Sequence, residues 1–366
     1  MIVTAVDDRR EPVIAASQAS AAADRPYTNW LSRYIWFAAA ATLLLICSGG
    51  MVTSKGVGLA VPDWPTTFGY NMFMFPVSKW VGGILFEHTH RLIASIVGFL
   101  TIILALWLGR AEPRAWVRRL GYAALLAVVV QGVLGGLRVT LLKDEIGIFH
   151  ACLAQAFFAS LILLALATSQ LWHQVGTCGV PVDPGKTIAR LALITTVFIY
   201  IQLALGATMR HQHRDLSIVD FPLAYGRIIP DVSPQALDRI NKWRDARALS
   251  DVTAFHIWLQ MAHRFGALLV GTGVTGTLAL GLRSNRQLPR VLSRLCAIWF
   301  CIMCTQVLLG AWTIWSNKAA DIATAHVALG ATMLGFGVAI SALALRSINP
   351  ASTTNLPSPV EQLSAV

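Results

Sequence analysis

E-H-T-H-R-L-I-A-S-I-V-G-F-L-T-I-I-L-A-L-W-L-G, residues 87–109, is the stretch that decides the fold. From His90 onward it is an apolar run of the length an α-helix needs to cross a bilayer, about 20 residues. Its one charge in that run is Arg91, at the very start. Seven further runs of this kind follow or precede it, giving eight spans at about 34–53, 90–109, 119–141, 147–171, 188–209, 256–282, 292–315 and 322–345. The whole chain of 366 residues is 55% hydrophobic and only 13% charged, with a mean hydropathy of +0.61. A soluble domain averages about 25% charged residues, so an all-α integral membrane protein is predicted.

The runs come in two matched sets. His90 opens the second span, and His150 opens the fourth in I-F-H-A-C-L-A. His263 in Q-M-A-H-R-F-G and His326 in T-A-H-V-A-L-G take the same places in the sixth and eighth. V-P-D-W-P (61–65) after the first span matches I-V-D-F-P (218–222) after the fifth, aligning Asp63 with Asp220. Q-G-V-L-G-G-L (131–137), Q-L-A-L-G-A-T (202–208) and Q-V-L-L-G-A-W (306–312) recur within the third, fifth and seventh. Glycines there (Gly132, Gly135, Gly136, Gly206, Gly310) let helices approach closely, and a flat macrocycle would need the same bare walls. Four spans per copy is an even number, so both copies face the same way. The expected architecture is two tandem four-helix bundles related by a pseudo-two-fold axis along the membrane normal. The expected boundaries are a disordered cytoplasmic tail at 1–33, a first half at 34–172, a second half at 188–345 and a tail at 346–366.

The net charge of +11 is placed as a membrane protein places it. Arg110, Arg114, Arg118 and Arg119 follow the second span, and Arg283, Arg286, Arg290 and Arg294 surround the start of the seventh. The positive-inside rule puts these loops and both termini in the cytoplasm, and the distribution excludes a nucleic-acid partner. Segment 211–255 mixes basic residues with aspartates and is read as a neutral outer loop. Of the six cysteines, all but Cys178 fall in spans, so no disulfide is expected outside the membrane. Cys301 and Cys304 share a helix face and are read as small core residues.

Histidine inside a bilayer is costly unless something binds it. With this topology the four repeated histidines lie near one, outer, face of the membrane. Zinc takes three or four ligands from Cys, His and carboxylate; two histidines on opposite helices better suit haem iron held on both axial faces. Arg91, Arg138, Arg210 and Arg264 lie on the same side and are candidates for the propionates, with interfacial snorkelling as the plainer alternative. His88, two residues from His90, points to another side of that helix; His173, His211 and His213 are read as loop or interface residues, and His256 as a residue further out along the face of His263. The halves differ at one position: Glu87 stands three residues before His90, whereas Gln260 stands three before His263. A carboxylate can move a proton and an amide cannot, so the first half is the expected reaction site.

The E-x-x-H-R motif, its altered copy, the histidines opening spans four and eight, and the duplicated plan resemble the haem A synthase family over about residues 34–345. The resemblance implies that haem O is oxidised at a ring methyl to a formyl group, giving haem A for terminal oxidases. It implies that His90 and His150 hold this substrate, that Glu87 is needed for chemistry, and that His263 and His326 hold a b-type haem through which electrons pass. It also implies a bacterial cytoplasmic membrane location, contact with membrane lipid, and a partner enzyme that supplies haem O; the electron acceptor is unassigned. Some family members carry a cysteine pair in the first outer loop, and this chain has none there. Two alternatives are a membrane di-haem b-type cytochrome that only transfers electrons and a repeat-built transporter.

Overall fold

A computed structural model of the chain describes residues 29–176, 182–212, 216–284 and 288–348. Most of the two expected tails, together with Cys178, His213, Arg214 and Arg286, lies outside the described residues. Among the described residues there are ten α-helices, and extended pairing is confined to two isolated bridges. The helices are α1 (Asn29–Ser54), α2 (Gly82–Ala111), α3 (Ala115–Leu141), α4 (Asp144–Ala167), α5 (Gln170–Gly176), α6 (Val182–His211), α7 (Pro234–Asp245), α8 (Ala254–Arg283), α9 (Arg290–Trp315) and α10 (Ala320–Ile348). All but the short α5 and the polar α7 are long and apolar enough to cross a membrane. This is a multi-pass membrane protein.

Helix is the only open-chain form that satisfies its own backbone in hydrocarbon. Several hydroxyls within the spans turn back onto their own helix. Thr42, Thr101, Thr196 and Ser341 each donate to the carbonyl four residues earlier, at 2.7–2.8 Å. The same chemistry ends α4 sooner than its apolar run suggests. The Thr168 hydroxyl donates to the Leu164 carbonyl (2.8 Å) and Ser169 to that of Leu166 (2.6 Å); the chain then restarts as α5. At the other end, α2 and α8 begin eight and nine residues before His90 and His263. These histidines therefore sit more than two turns inside their helices.

Neighbouring spans pack in two closed circuits. α1 packs on α2, α2 on α3, α3 on α4 and α4 on α1; α6, α8, α9 and α10 repeat this order. α10 also packs on α1 and α4, and α4 on α6. One continuous apolar core runs through these contacts, with Ile35, Leu104, Leu161, Leu164, Trp299, Ile340 and Leu343 fully enclosed. α10 buries 61% of its apolar window and α3 and α9 only 17%, which puts α10 at the centre and the other two at the rim. Arg210 fastens one end of this centre: its guanidinium donates to the Gly50 carbonyl (2.5 Å), the Ser54 hydroxyl and the Ala323 carbonyl (3.4 Å).

Candidate functional site

Each of the four histidines rests against a glycine of the neighbouring helix. A Cβ added to Gly49 of α1 would stand 2.9 Å from Cε1 of His90, and one on Gly135 of α3 3.3 Å from that of His150. The second set repeats the arrangement, with Gly206 of α6 3.3 Å from His263 and Gly310 of α9 3.1 Å from His326. The imidazoles also come together in pairs, close enough to act on each other electrostatically: His90 with His150, His263 with His326. Nδ1 of all four is enclosed without a hydrogen-bond partner, while Nε2 is not enclosed in this way. Each ring does lie beside the backbone of the residue one turn before its glycine, namely Leu45, Gln131, Gln202 and Gln306, short of full hydrogen-bond geometry. A neutral imidazole whose Nδ1 proton faces a carbonyl presents the Nε2 lone pair as a ligand.

Among the described residues no group of three or more His, Cys, Asp or Glu comes together to hold a metal ion, which a zinc site needs. Paired imidazoles with bare glycine walls fit a haem, whose porphyrin brings its own equatorial donors.

Glu87 and Gln260 hold the same place in the two copies. The Glu87 carboxylate is buried; Oε2 accepts from the Val61 amide at 2.9 Å and Oε1 from Arg91 at 2.7 Å. Gln260 is equally buried, accepting from the Ile218 amide at 2.7 Å and donating to its carbonyl at 3.1 Å. Both side chains thus tie the loop that precedes their helix to the helix that carries the histidine. Arg91 reinforces this through the carbonyls of Val61 (2.9 Å), Asp63 (2.7 Å) and Thr66 (3.1 Å). Arg264 does so through Asp220 (2.6 Å), Leu223 (2.8 Å) and Pro222 (3.4 Å).

The aligned aspartates explain themselves in the same way. Phe68 and Gly69, and likewise Tyr225 and Gly226, have positive φ, a conformation costing a non-glycine residue about 1–2 kcal/mol. The Asp63 carboxylate accepts from the Phe68 and Gly69 amides at 2.7 and 2.8 Å and from the Thr66 hydroxyl. Asp220 accepts from the Tyr225 and Gly226 amides at 2.7 and 2.9 Å. Burial alone would raise the Asp63 carboxyl, but the bonds from Gly69, Thr66 and Phe68 outweigh it and hold the group below the usual carboxylate range.

Arg138 stands apart from the other three arginines. Its guanidinium lies over Gly58, where an added Cβ would be 3.1 Å from Nη2, and within electrostatic reach of both His90 and His150. Among the described residues it has no hydrogen bond or ion pair, so its donors are open to an anion. Arg210 reaches His326 electrostatically although its donors bind backbone. His256 caps α8: its Nδ1 accepts from the Thr253 amide at 3.2 Å. His88 is fully buried against Phe75 and Trp80, with Thr67 Oγ1 3.3 Å from Nδ1. The glycine facing His90, Gly49, and the roles of the three glutamines went unread in the sequence. The glutamines recur four residues before a glycine, and that periodic pair was the available signal.

Known proteins resemble this chain over most of its length. A "Heme A synthase" of Geobacillus kaustophilus (strain HTA426) is 25% identical over 324 residues, covering 85% of this chain and 92% of the relative. That of Shouchella clausii (strain KSM-K16) is 27% identical over 288 residues, 73% of this chain and 92% of the relative. That of Lysinibacillus sphaericus (strain C3-41) is 24% identical over 311 residues, 83% and 93%. The model of the COX15-CtaA family, described as cytochrome oxidase assembly protein, matches residues 32–338, and the chain belongs to that family.

Proposed function

We propose that this protein is a haem A synthase, a membrane oxidoreductase that converts a ring methyl of haem O to a formyl group. Support comes from the family, from relatives bearing that name, and from the paired histidines. In this proposal His90 and His150 hold the substrate haem O, and His263 and His326 hold a b-type haem. When bound, that haem supplies the electron-accepting chemistry by which electrons leave the substrate. Arg138 faces the substrate propionates, because its donors are free while those of Arg91 and Arg264 are committed to loop carbonyls. The two circuits of helices form tandem four-helix halves about a pseudo-two-fold axis. Both termini face the cytoplasm, and the histidines lie toward the outer surface.

One observation carries the assignment of the reacting half. Gln260 anchors its outer segment as fully as Glu87 does, so anchoring does not require a carboxylate. Glu87 can additionally take up and release a proton, and it lies one turn from His90 on the same helix face. Replacing two methyl hydrogens by an oxygen taken from water releases four protons with the four electrons, and Glu87 takes up these protons one at a time and passes them to solvent. Arg91 keeps the carboxylate oriented through its 2.7 Å ion pair. A Glu87→Gln variant reproduces the anchor that the second half already uses. It should fold and bind haem, yet leave haem O or a hydroxylated intermediate unconverted. A normal yield of haem A from that variant would reject the role.

A further inference from the structure

Three of the four histidines have their backbone braced by a glutamine from the helix they face. Gln131 donates Nε2 to the His150 carbonyl at 2.9 Å, Gln306 to that of His326 at 2.9 Å, and Gln202 to that of His263 at 2.6 Å. In each case the glutamine stands four residues before the glycine on which the same imidazole rests. One helix turn therefore fixes both the ring and the backbone of its histidine. The fourth histidine breaks the pattern. Gly49 faces His90, but four residues before it stands Leu45, an apolar side chain packed against the core with no donor to offer.

The outer segments differ in the same direction. Over the second half, α7 packs on its own small core of Ile218, Ala224, Val252, Ile257 and Met261. There Arg244 is buried and donates to Ser250 (2.7 Å) and Leu216 (3.0 Å) carbonyls. The first segment, residues 55–81, has only two short 3-10 turns and leaves Phe73, Met74 and Val77 exposed.

Resting on the haem-binding roles proposed above, we propose that Gln131, Gln202 and Gln306 are positioning residues that lock three axial histidines, and that Leu45 leaves His90 unlocked as the ligand that releases haem. A resident haem gains from two fixed ligands. A substrate that must enter and a product that must leave need one ligand free to swing. Each bracing bond removes a mode of helix displacement and contributes like an ordinary buried hydrogen bond.

The test is haem transfer from the purified full-length protein, loaded with haem O and b-type haem, to excess apomyoglobin. Two phases are expected, the fast one from the first half. Gln306→Leu and Gln202→Leu should each speed the slow phase about three- to tenfold, the range expected for one net hydrogen bond. Leu45→Gln, which supplies the missing donor, should slow the fast phase by a similar factor and raise the low-spin fraction of that haem. The low-spin shift is a signature that a merely structural side chain would not produce. If Gln306→Leu does not fold, Leu45→Gln decides alone. Coloured protein whose phases ignore these variants would overturn the bracing roles only; colourless protein would overturn the haem assignment and this proposal with it.

Discussion

Replacing Gly310 by alanine tests the histidine geometry with a single methyl group. The new Cβ would stand 3.1 Å from Cε1 of His326, against an optimal carbon–carbon separation of about 3.5–4.0 Å. The ring must retreat by about 0.4–0.9 Å, more than the roughly 0.2 Å that a metal–ligand bond tolerates. Stability should fall by about 0–2 kcal/mol, because the helix-propensity gain of about 1 kcal/mol covers only part of an overpacking cost of about 1–3 kcal/mol. The expected result is a folded protein whose second-half haem loses low-spin character, read by visible absorption and electron paramagnetic resonance, with a loss of stability in thermal unfolding of no more than about 2 kcal/mol. Gly49→Ala, at 2.9 Å, should disturb His90 more, and Gly135→Ala and Gly206→Ala, both at 3.3 Å, less. Gly98 and Gly132 have no atom within 4 Å of an added Cβ and serve as controls. Spectra of Gly310→Ala indistinguishable from those of Gly132→Ala would refute the wall geometry.

The remaining predictions separate binding from scaffolding. Arg138→Gln should weaken haem retention in the first half about tenfold with stability unchanged, since one charge-assisted contact of about 1.5 kcal/mol or more is lost only to the ligand; haem titration and a melting curve check this. Arg91→Gln should instead loosen the outer segment, costing about 3 kcal/mol or more because a buried carboxylate loses its partner, and limited proteolysis within residues 55–81 would show it. Asp63→Asn should loosen the same segment at neutral pH. For Asp63 the folded-state pKa lies below the ordinary value of about 3.9. Its stabilisation is therefore complete above that value and is lost as pH falls through the lower folded one. Proteolysis of wild type should be unchanged from neutral pH down to about 3.9 and should begin to approach the Asp63→Asn pattern only below it.

Much of the fold was legible because the bilayer imposes it. An apolar run long enough to cross reads as a helix whatever it packs against, and all eight such runs are helices. The ends were less legible. The apolar run starts at His90, yet the helix starts at Gly82; there Glu87 accepts from the Val61 amide and His88 Nδ1 meets the Thr67 hydroxyl, contacts with the preceding loop that no local pattern announces. Segment 211–255 concealed α7, although Ser233 followed by Pro234 is a helix-start signature, and Ser233 does cap Ala236. The histidines and the aligned aspartates were visible as repeats, because duplicated register needs no knowledge of neighbours. What the glutamines, Gly49 and the arginines touch depends on which helices stand side by side, and this emerges only from packing. Arg91 and Arg264 show the difference most clearly: their charge suggested an anion, and their geometry serves the backbone of a loop.

The haem assignment is tested most directly by the haems extracted from the purified protein after expression with a supply of haem O, separated by chromatography alongside the visible spectrum. Two haem populations are predicted in wild type, one carrying the formyl product. His263→Ala should lose the b-type spectrum, and Glu87→Gln should retain haem while forming no formyl product. A colourless wild-type protein, or full haem A formation by Glu87→Gln, would contradict it.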